Sequence, residues 1–281
     1  MQKDINTRQN EKNILDLQYA ARIFCNRAEK ANYFIWFLCI AATIISLFAD
    51  NAKQIIMLIS IVIEVLALSM QNYMDQNAKR FSECRRLFDK YVLFNEREEI
   101  SDKLSESIRK AKNRKDYQEQ ITHNGNDATP GVKDWYTFKK EFSDGDRETI
   151  IECQRQNGFW TGKMSKWKMI ITVIIGIVLF FVLWYEIQKH QLKVLPCLVG
   201  VVALVMKLIE RVLVNLKYIK AFEKIEGATE NTRLNGNDEQ IRAVQSRIDE
   251  LRSIPVFGIN FVHKNLANYY TNLYDEIQKS R

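Results

Sequence analysis

Four apolar runs punctuate a chain that is otherwise densely charged: residues 33–49, 54–70, 169–185 and 194–206. The first and third hold no charge for about 17 residues, which at about 1.5 Å per residue nearly crosses a hydrocarbon core of roughly 30 Å. The second contains Glu64, and the fourth is shorter and contains Pro196. Only residues 50–53 separate the first two runs and 186–193 the last two, so each weaker run reads as the return leg of a hairpin. The pattern predicts four spans in two hairpins rather than the buried helices of a soluble core.

Outside the spans the spacing is also helical. Ile14, Leu17, Ala21 and Phe24 recur at intervals of three and four, which predicts an amphipathic helix over 6–32 leading to the membrane. After the second span Tyr73, Phe81, Phe88, Tyr91 and Phe94 extend the pattern, and Ile100, Leu104, Ile108 and Ala111 continue it as a solvated, bent helix to about Ile121. Asn124-Gly125 and Thr129-Pro130-Gly131 mark a loop over 123–131. Ser143 stands three residues before Asp146 in the manner of a capping box, and Gly158 is expected to interrupt the helix that follows. The fourth span continues without Gly or Pro to Gly227, a second loop is expected over 229–238, and Ile241, Val244, Ile248 and Leu251 form a seam ending before Pro255. A last helix is expected to carry Phe261, Leu266, Leu273 and Ile277.

No stretch alternates with period two, so the expected class is an all-α membrane protein. Two transmembrane helical hairpins would carry a cytoplasmic helical bundle built on extensions of the spans. Its divisions fall at 1–32 (amphipathic helix), 33–70 (first hairpin), 71–167 (cytoplasmic region), 168–206 (second hairpin) and 207–281 (cytoplasmic extension and final helices).

Composition narrows the classes. In a chain of 281 residues a mean hydropathy of −0.26 is too low for a many-span transporter. The polar start, with Asp4, Glu11 and Asp16, reads as a retained anchor's leader rather than a cleaved signal. Lys and Arg gather beside the outer ends of the runs: Arg22, Arg27 and Lys30; Lys79, Arg80, Arg85 and Arg86; Lys163, Lys166 and Lys168; Lys207, Arg211, Lys217 and Lys220. The connections within the hairpins hold only Lys53, Lys189 and Lys193. This asymmetry places both termini and the middle of the chain in the cytoplasm. The net charge of +7 permits an anionic partner without requiring one. Five scattered cysteines without a CxxC pair suit a reducing compartment.

Chemistry is sparse. His123, His190 and His263 are isolated, and no phosphate loop, nucleophile elbow or zinc-ligand spacing occurs, so no catalytic residue, metal or cofactor is expected. The membrane runs hold one conspicuous group: a carboxylate at Glu64 costs about 2.5–3.5 kcal/mol on insertion scales unless it faces protein or water. Ser60, Glu64 and Gln71 share a helix face with Met57 and Ala67, which points to a pore lining or an inter-subunit seam, with plain helix packing as the alternative. Lys133, Trp135, Tyr136, Lys139 and Lys140, followed by Arg147 and Arg155, mix cations with aromatic faces as an oligonucleotide site does. Surface charge beside a buried aromatic cluster explains the same residues.

Three segments carry a family resemblance: Arg8-Gln9-Asn10 with Leu15, Leu17, Ala20-Ala21 and Ala28-Glu29-Lys30; Asp134-Trp135-Tyr136 with 152–157 (Glu-Cys-Gln-Arg-Gln-Asn) and Trp160; and 241–245 (Ile-Arg-Ala-Val-Gln) with Ile248, Arg252 and Pro255-Val256-Phe257. Together with the two hairpins, they resemble the SMODS-associating four-transmembrane effectors over essentially the whole chain. The resemblance implies a bacterial anti-phage effector whose partner nucleotidyltransferase makes a cyclic or linear oligonucleotide. It further implies a homo-oligomer such as a tetramer, acting in the lipid bilayer as a channel or pore that depolarises or permeabilises the membrane and arrests the infected cell. It brings no catalytic residues. A membrane-anchored scaffold that recruits a soluble partner without conduction is the alternative reading.

Overall fold

The computed structural model describes residues 4–48, 53–125, 131–136, 147–190 and 194–255. Among them there is no β-strand, only eight helices: α1 (Ile5–Gln9), α2 (Lys12–Phe48), α3 (Lys53–Phe94), α4 (Asp102–Lys112), α5 (Tyr117–Thr122), α6 (Arg147–His190), α7 (Val194–Asn235) and α8 (Asp238–Ser253). All four apolar runs, the first as far as Phe48, fall on the long helices. The chain divides into two compact units, one of residues 1–27, 76–161 and 221–254, the other of 28–75, 162–220 and 255–281. Each of α2, α3, α6 and α7 contributes a stretch to both.

In the first unit α1, α2, α3, α4, α5 and the start of α6 close over one apolar core. Tyr19, Ala20, Ala21 and Phe24 of α2 meet Cys84, Phe88 and Val92 of α3, with Leu104, Ala111, Tyr117, Val132, Tyr136 and Cys153 completing it. Each fully buried aromatic or aliphatic side chain adds about 1.5–3 kcal/mol relative to exposure. The stretch 100–121, expected to be a solvated, bent helix, forms two separate helices, α4 and α5, that bury Leu104, Ala111 and Tyr117 and leave most of their other side chains exposed. The break before α4 follows from Asn95, which takes a left-handed φ of 56° and donates its N–H to the Tyr91 carbonyl at 3.0 Å, a helix stop that asparagine tolerates well.

Three other boundaries differ from the spacing-based expectation. The helix expected over 6–32 is broken at Asn10, whose side chain is engaged by Asp134. Helix α6 runs through position 158 without interruption. Helix α7 continues through Gly227 to Asn235, where a loop was expected from 229, because Thr229 and Thr232 are buried and return their hydroxyls to the carbonyls of Ile225 and Ala228, each at 2.7 Å. Its partner α8 opens with a reciprocal cap: Gln240 N–H donates to Asn237 Oδ1 at 2.9 Å and Asn237 N–H to Gln240 Oε1 at 3.0 Å. Ile241, Val244, Ile248 and Leu251 are all buried, as their seam implies. The capping box at 143–146 and the last helix lie outside the described residues.

The second unit has the opposite exposure. Phe37 and Ile44 on α2, Leu58, Val62, Val65 and Leu68 on α3, Ile174, Val178, Phe180 and Phe181 on α6, and Met206 and Leu213 on α7 are exposed. Among the described residues Lys12–Ile45 and Ser165–Val182 are long and apolar enough to cross a membrane. Trp167 and Tyr185, exposed at the two ends of the α6 run, are residues that favour the membrane interface.

Candidate functional site

The segments that carry the resemblance converge in the first unit on one buried carboxylate that none of them contains. Asp89, on α3, is fully buried. Its Oδ1 accepts the Tyr136 hydroxyl at 2.6 Å, and its Oδ2 accepts Gln245 Nε2 at 2.8 Å and Arg252 Nη1 at 2.5 Å. Asn157 Nδ2 donates to the Tyr136 oxygen at 2.5 Å, and Gln154 Nε2 reaches the Ile241 carbonyl and Gln245 Oε1 at 3.0 and 3.2 Å. From the amino-terminal segment, Gln9 grips the backbone of Tyr136 at both ends, accepting its N–H at 2.8 Å and donating to its carbonyl at 3.2 Å. Asn10 exchanges a similar pair with Asp134, at 3.1 and 2.6 Å, holding that residue at a left-handed φ of 47°.

The electrostatics follow. Burial, reinforced by Asp89, pushes the Tyr136 phenol well above its ordinary value, so it stays a donor. Burial opposes the charge of Arg252, but Asp89, Tyr136 and Asp249 overcome it and hold the guanidinium above its usual range. Asp249 is less well served: burial pushes its carboxyl up to about 6, with Arg252 opposing and Asp89 reinforcing the shift. A folded-state value above the unfolded one means that the acid form fits the fold better. Its stabilising contribution is therefore present below about pH 4 and lost as pH rises through about 6. Asp249→Asn is expected to raise stability at pH 7.5 by about 1–2 kcal/mol and to change little near pH 4, measured by thermal unfolding of the detergent-solubilised protein at both pH values. An equal effect at the two pH values would mean that the carboxyl does not titrate this way.

The proposed oligonucleotide residues are distributed unevenly around this network. Tyr136 is inside it and presents no open ring. Trp135 is 37% exposed, with the Arg85 guanidinium 3.7 Å from its ring centre. Lys133 is half-buried on a segment that bridges back to Asn124. Arg147 pairs with Asp238 at 3.0 Å and donates to the Gly236 carbonyl at 2.5 Å, while Arg155 lies 3.4 Å from Glu152. Lys139 and Lys140 lie outside the described residues. Spacing alone missed Asp89 and gave Arg85 only as one more flanking cation.

In the second unit Glu64 is exposed between Ile61, Val62, Val65 and Leu66, and no hydrogen bond or ion pair reaches it among the described residues. Ser60 lies on the same helix, its side chain outside the described set. Gln71 turns inward and accepts from Lys207 Nζ at 3.0 Å. Lys207 is committed to Gln71 and, at 2.8 Å, to Glu210. One turn on, Arg211 donates to Asn32 and, at 3.1 Å, to the Pro255 carbonyl, so α2, α3 and α7 share a buried polar seam. Between α6 and α7 runs an open groove of about 570 Å³, lined by Thr172, Gly176, Phe180, Leu208 and Val212. Among the described residues no group of His, Cys, Asp and Glu is placed to hold a metal ion.

A family model described as the SMODS-associating 4TM effector domain matches residues 3–277. No curated protein and no solved structure matches the chain.

Proposed function

Because the chain belongs to the SMODS-associating 4TM effector family, we propose that it is the membrane effector of a nucleotidyltransferase-linked anti-phage defence, acting by permeation rather than catalysis. The helical first unit receives an oligonucleotide, cyclic or linear, made by the partner nucleotidyltransferase. The second unit, assembled in several copies in the inner membrane, then lets ions or solutes through, and both chain ends stay in the cytoplasm.

One contrast supports this reading. The first unit buries its large apolar side chains around charged and amide groups, whereas the second turns them outward along four helices. Such opposite exposure in one chain suits two solvents, water for one unit and lipid for the other. Glu64 bears on the assembly. An exposed carboxylate in an apolar face is costly against lipid, so a second copy or an aqueous path is expected to cover it. Lys207 and Arg211 are tied to Gln71, Glu210 and Asn32, which favours conduction between copies over conduction through one chain. A signal shifts such a system only by binding its two states with different affinity.

The test is release of a trapped dye from liposomes carrying the purified protein, with and without the partner's reaction products. Release that depends on those products is expected. Vesicles that stay sealed throughout would favour a non-conducting scaffold that recruits a soluble partner. Glu64→Gln is expected to change single-channel conductance at least about twofold with the oligomer intact by size-exclusion chromatography, since the cost of the charge is removed from the path. Unchanged currents would take Glu64 out of the pathway.

A further inference from the structure

Beneath Trp135 lies a buried donor that lacks an acceptor. Gln18, on α2, is 1% exposed; its carbonyl oxygen accepts Arg85 Nη1, and its Nε2 has no partner among the described residues. Arg85, on α3, is 8% exposed and presents five N–H donors, of which that single bond to Gln18 engages one. No carboxylate lies within ion-pair distance of it among the described residues. Burial, then the nearby Arg252 charge, pushes its guanidinium down to about 10. Interiors rarely leave donors unpaired, and those that stay so call for an acceptor.

Trp135 supplies the second half. Among the described large apolar side chains of the first unit only it and Ile100 are exposed. One face of the indole is covered by Arg85 at 3.7 Å, and 37% of the residue is exposed. Asp134, beside it in the chain, accepts from Asn10 at 2.6 Å, and cations stand on the same elements. Lys133 makes no ion pair among the described residues, and Arg80 stacks over Phe24 at 5.9 Å with no carboxylate partner there.

We infer that Arg85, Gln18 and Trp135 form the nucleotide-reading site of the helical unit, an inference that rests on oligonucleotide control as proposed above. A base stacks on the indole, and its linking phosphate takes the spare donors of Arg85 and Gln18, with Lys133 neutralising the next phosphate. An arginine fork and an aromatic face match phosphate and base respectively. Because the indole caps Arg85, binding moves Trp135.

The test uses the full chain in lipid nanodiscs, titrated with fluorescein-labelled synthetic cyclic and linear di-, tri- and tetranucleotides of the four bases and followed by anisotropy. One or more of these probes is expected to bind, with affinity falling as salt rises. Trp135→Ala and Gln18→Leu are each expected to weaken it about tenfold or more, and Trp135→Phe, which keeps a stacking face, much less. Should Gln18→Leu fail to fold, Trp135→Ala decides, since its side chain is exposed. Equal affinity of wild type and Trp135→Ala for the same probe overturns this site and leaves oligonucleotide control standing. No binding by any probe overturns both.

Discussion

Asp89→Ala is expected to destabilise the helical unit by about 3–5 kcal/mol, the cost of leaving a buried cation without its partner. The carboxylate is fully buried and accepts from three side chains, Tyr136 of the loop at 131–136 and Gln245 and Arg252 of α8. Its removal leaves Arg252 with only Asp249, 3.7 Å away, and strands the Tyr136 hydroxyl with Asn157 alone among the described contacts. The readout is thermal unfolding together with thiol reactivity of Cys84 and Cys153, both buried in the same unit. The double variant Asp89→Ala with Arg252→Ala is expected to cost less than the two singles added together, because the second change removes the orphaned charge that the first creates. If the single variant melted within about 0.5 kcal/mol of wild type, the node would be peripheral to the fold.

This node accounts for what the amino-acid order did and did not reveal. The helices and the membrane runs announce themselves because a span and an amphipathic helix each impose a period or a length on consecutive residues. Ile241, Val244, Ile248 and Leu251 are an example: their spacing is the buried face of α8 itself. Asp89 and Arg85 had no such signal. Both sit in a charged stretch of α3, where a buried ion and a solvated one look alike, and what buries them comes from α2, α6, α8 and the loop at 131–136. The same reasoning explains Gln9, Asn10, Tyr136 and Asn157. They form recognisable segments, yet their common task of clamping the loop beside Asp89 appears only when the segments meet. Of the expected oligonucleotide residues, Trp135 is partly exposed, whereas Tyr136 is part of the clamp. Glu64 stood out from sequence because the surroundings that make it costly are its own neighbours along one helix. The ends of α7 and α4 were misjudged for the converse reason: threonines that cap in one setting return their hydroxyls to the helix in another, and core contacts from α2 hold α4 and α5 where their own pattern is weak.

Gly131→Ala is expected to be nearly as damaging as loss of Asp89, at about 3 kcal/mol or more, for a reason of space rather than charge. A Cβ at this position would stand 1.7 Å from the His123 carbonyl oxygen, 2.3 Å from its carbon and 2.6 Å from the Gln120 oxygen. All three are backbone atoms, so no side chain can swing aside. Relief requires the segment to lift away, which breaks the bonds from Gly131 N–H to the Asn124 carbonyl at 2.8 Å, from Val132 N–H to Gln120 at 2.9 Å and from Lys133 N–H to His123 at 3.1 Å. Lifting the segment also moves Trp135 and Tyr136, and with them the clamp by Gln9. Gly227 is the matched control: it lies in α7 with nothing within 4 Å of an added Cβ, so Gly227→Ala is expected to stabilise by about 0.5–1 kcal/mol through helix propensity. Thermal unfolding of the two variants side by side separates the effects. A Gly131→Ala protein as stable as wild type would mean that the loop does not approach α5 this closely, and the position of Trp135 over Arg85 would lose its support.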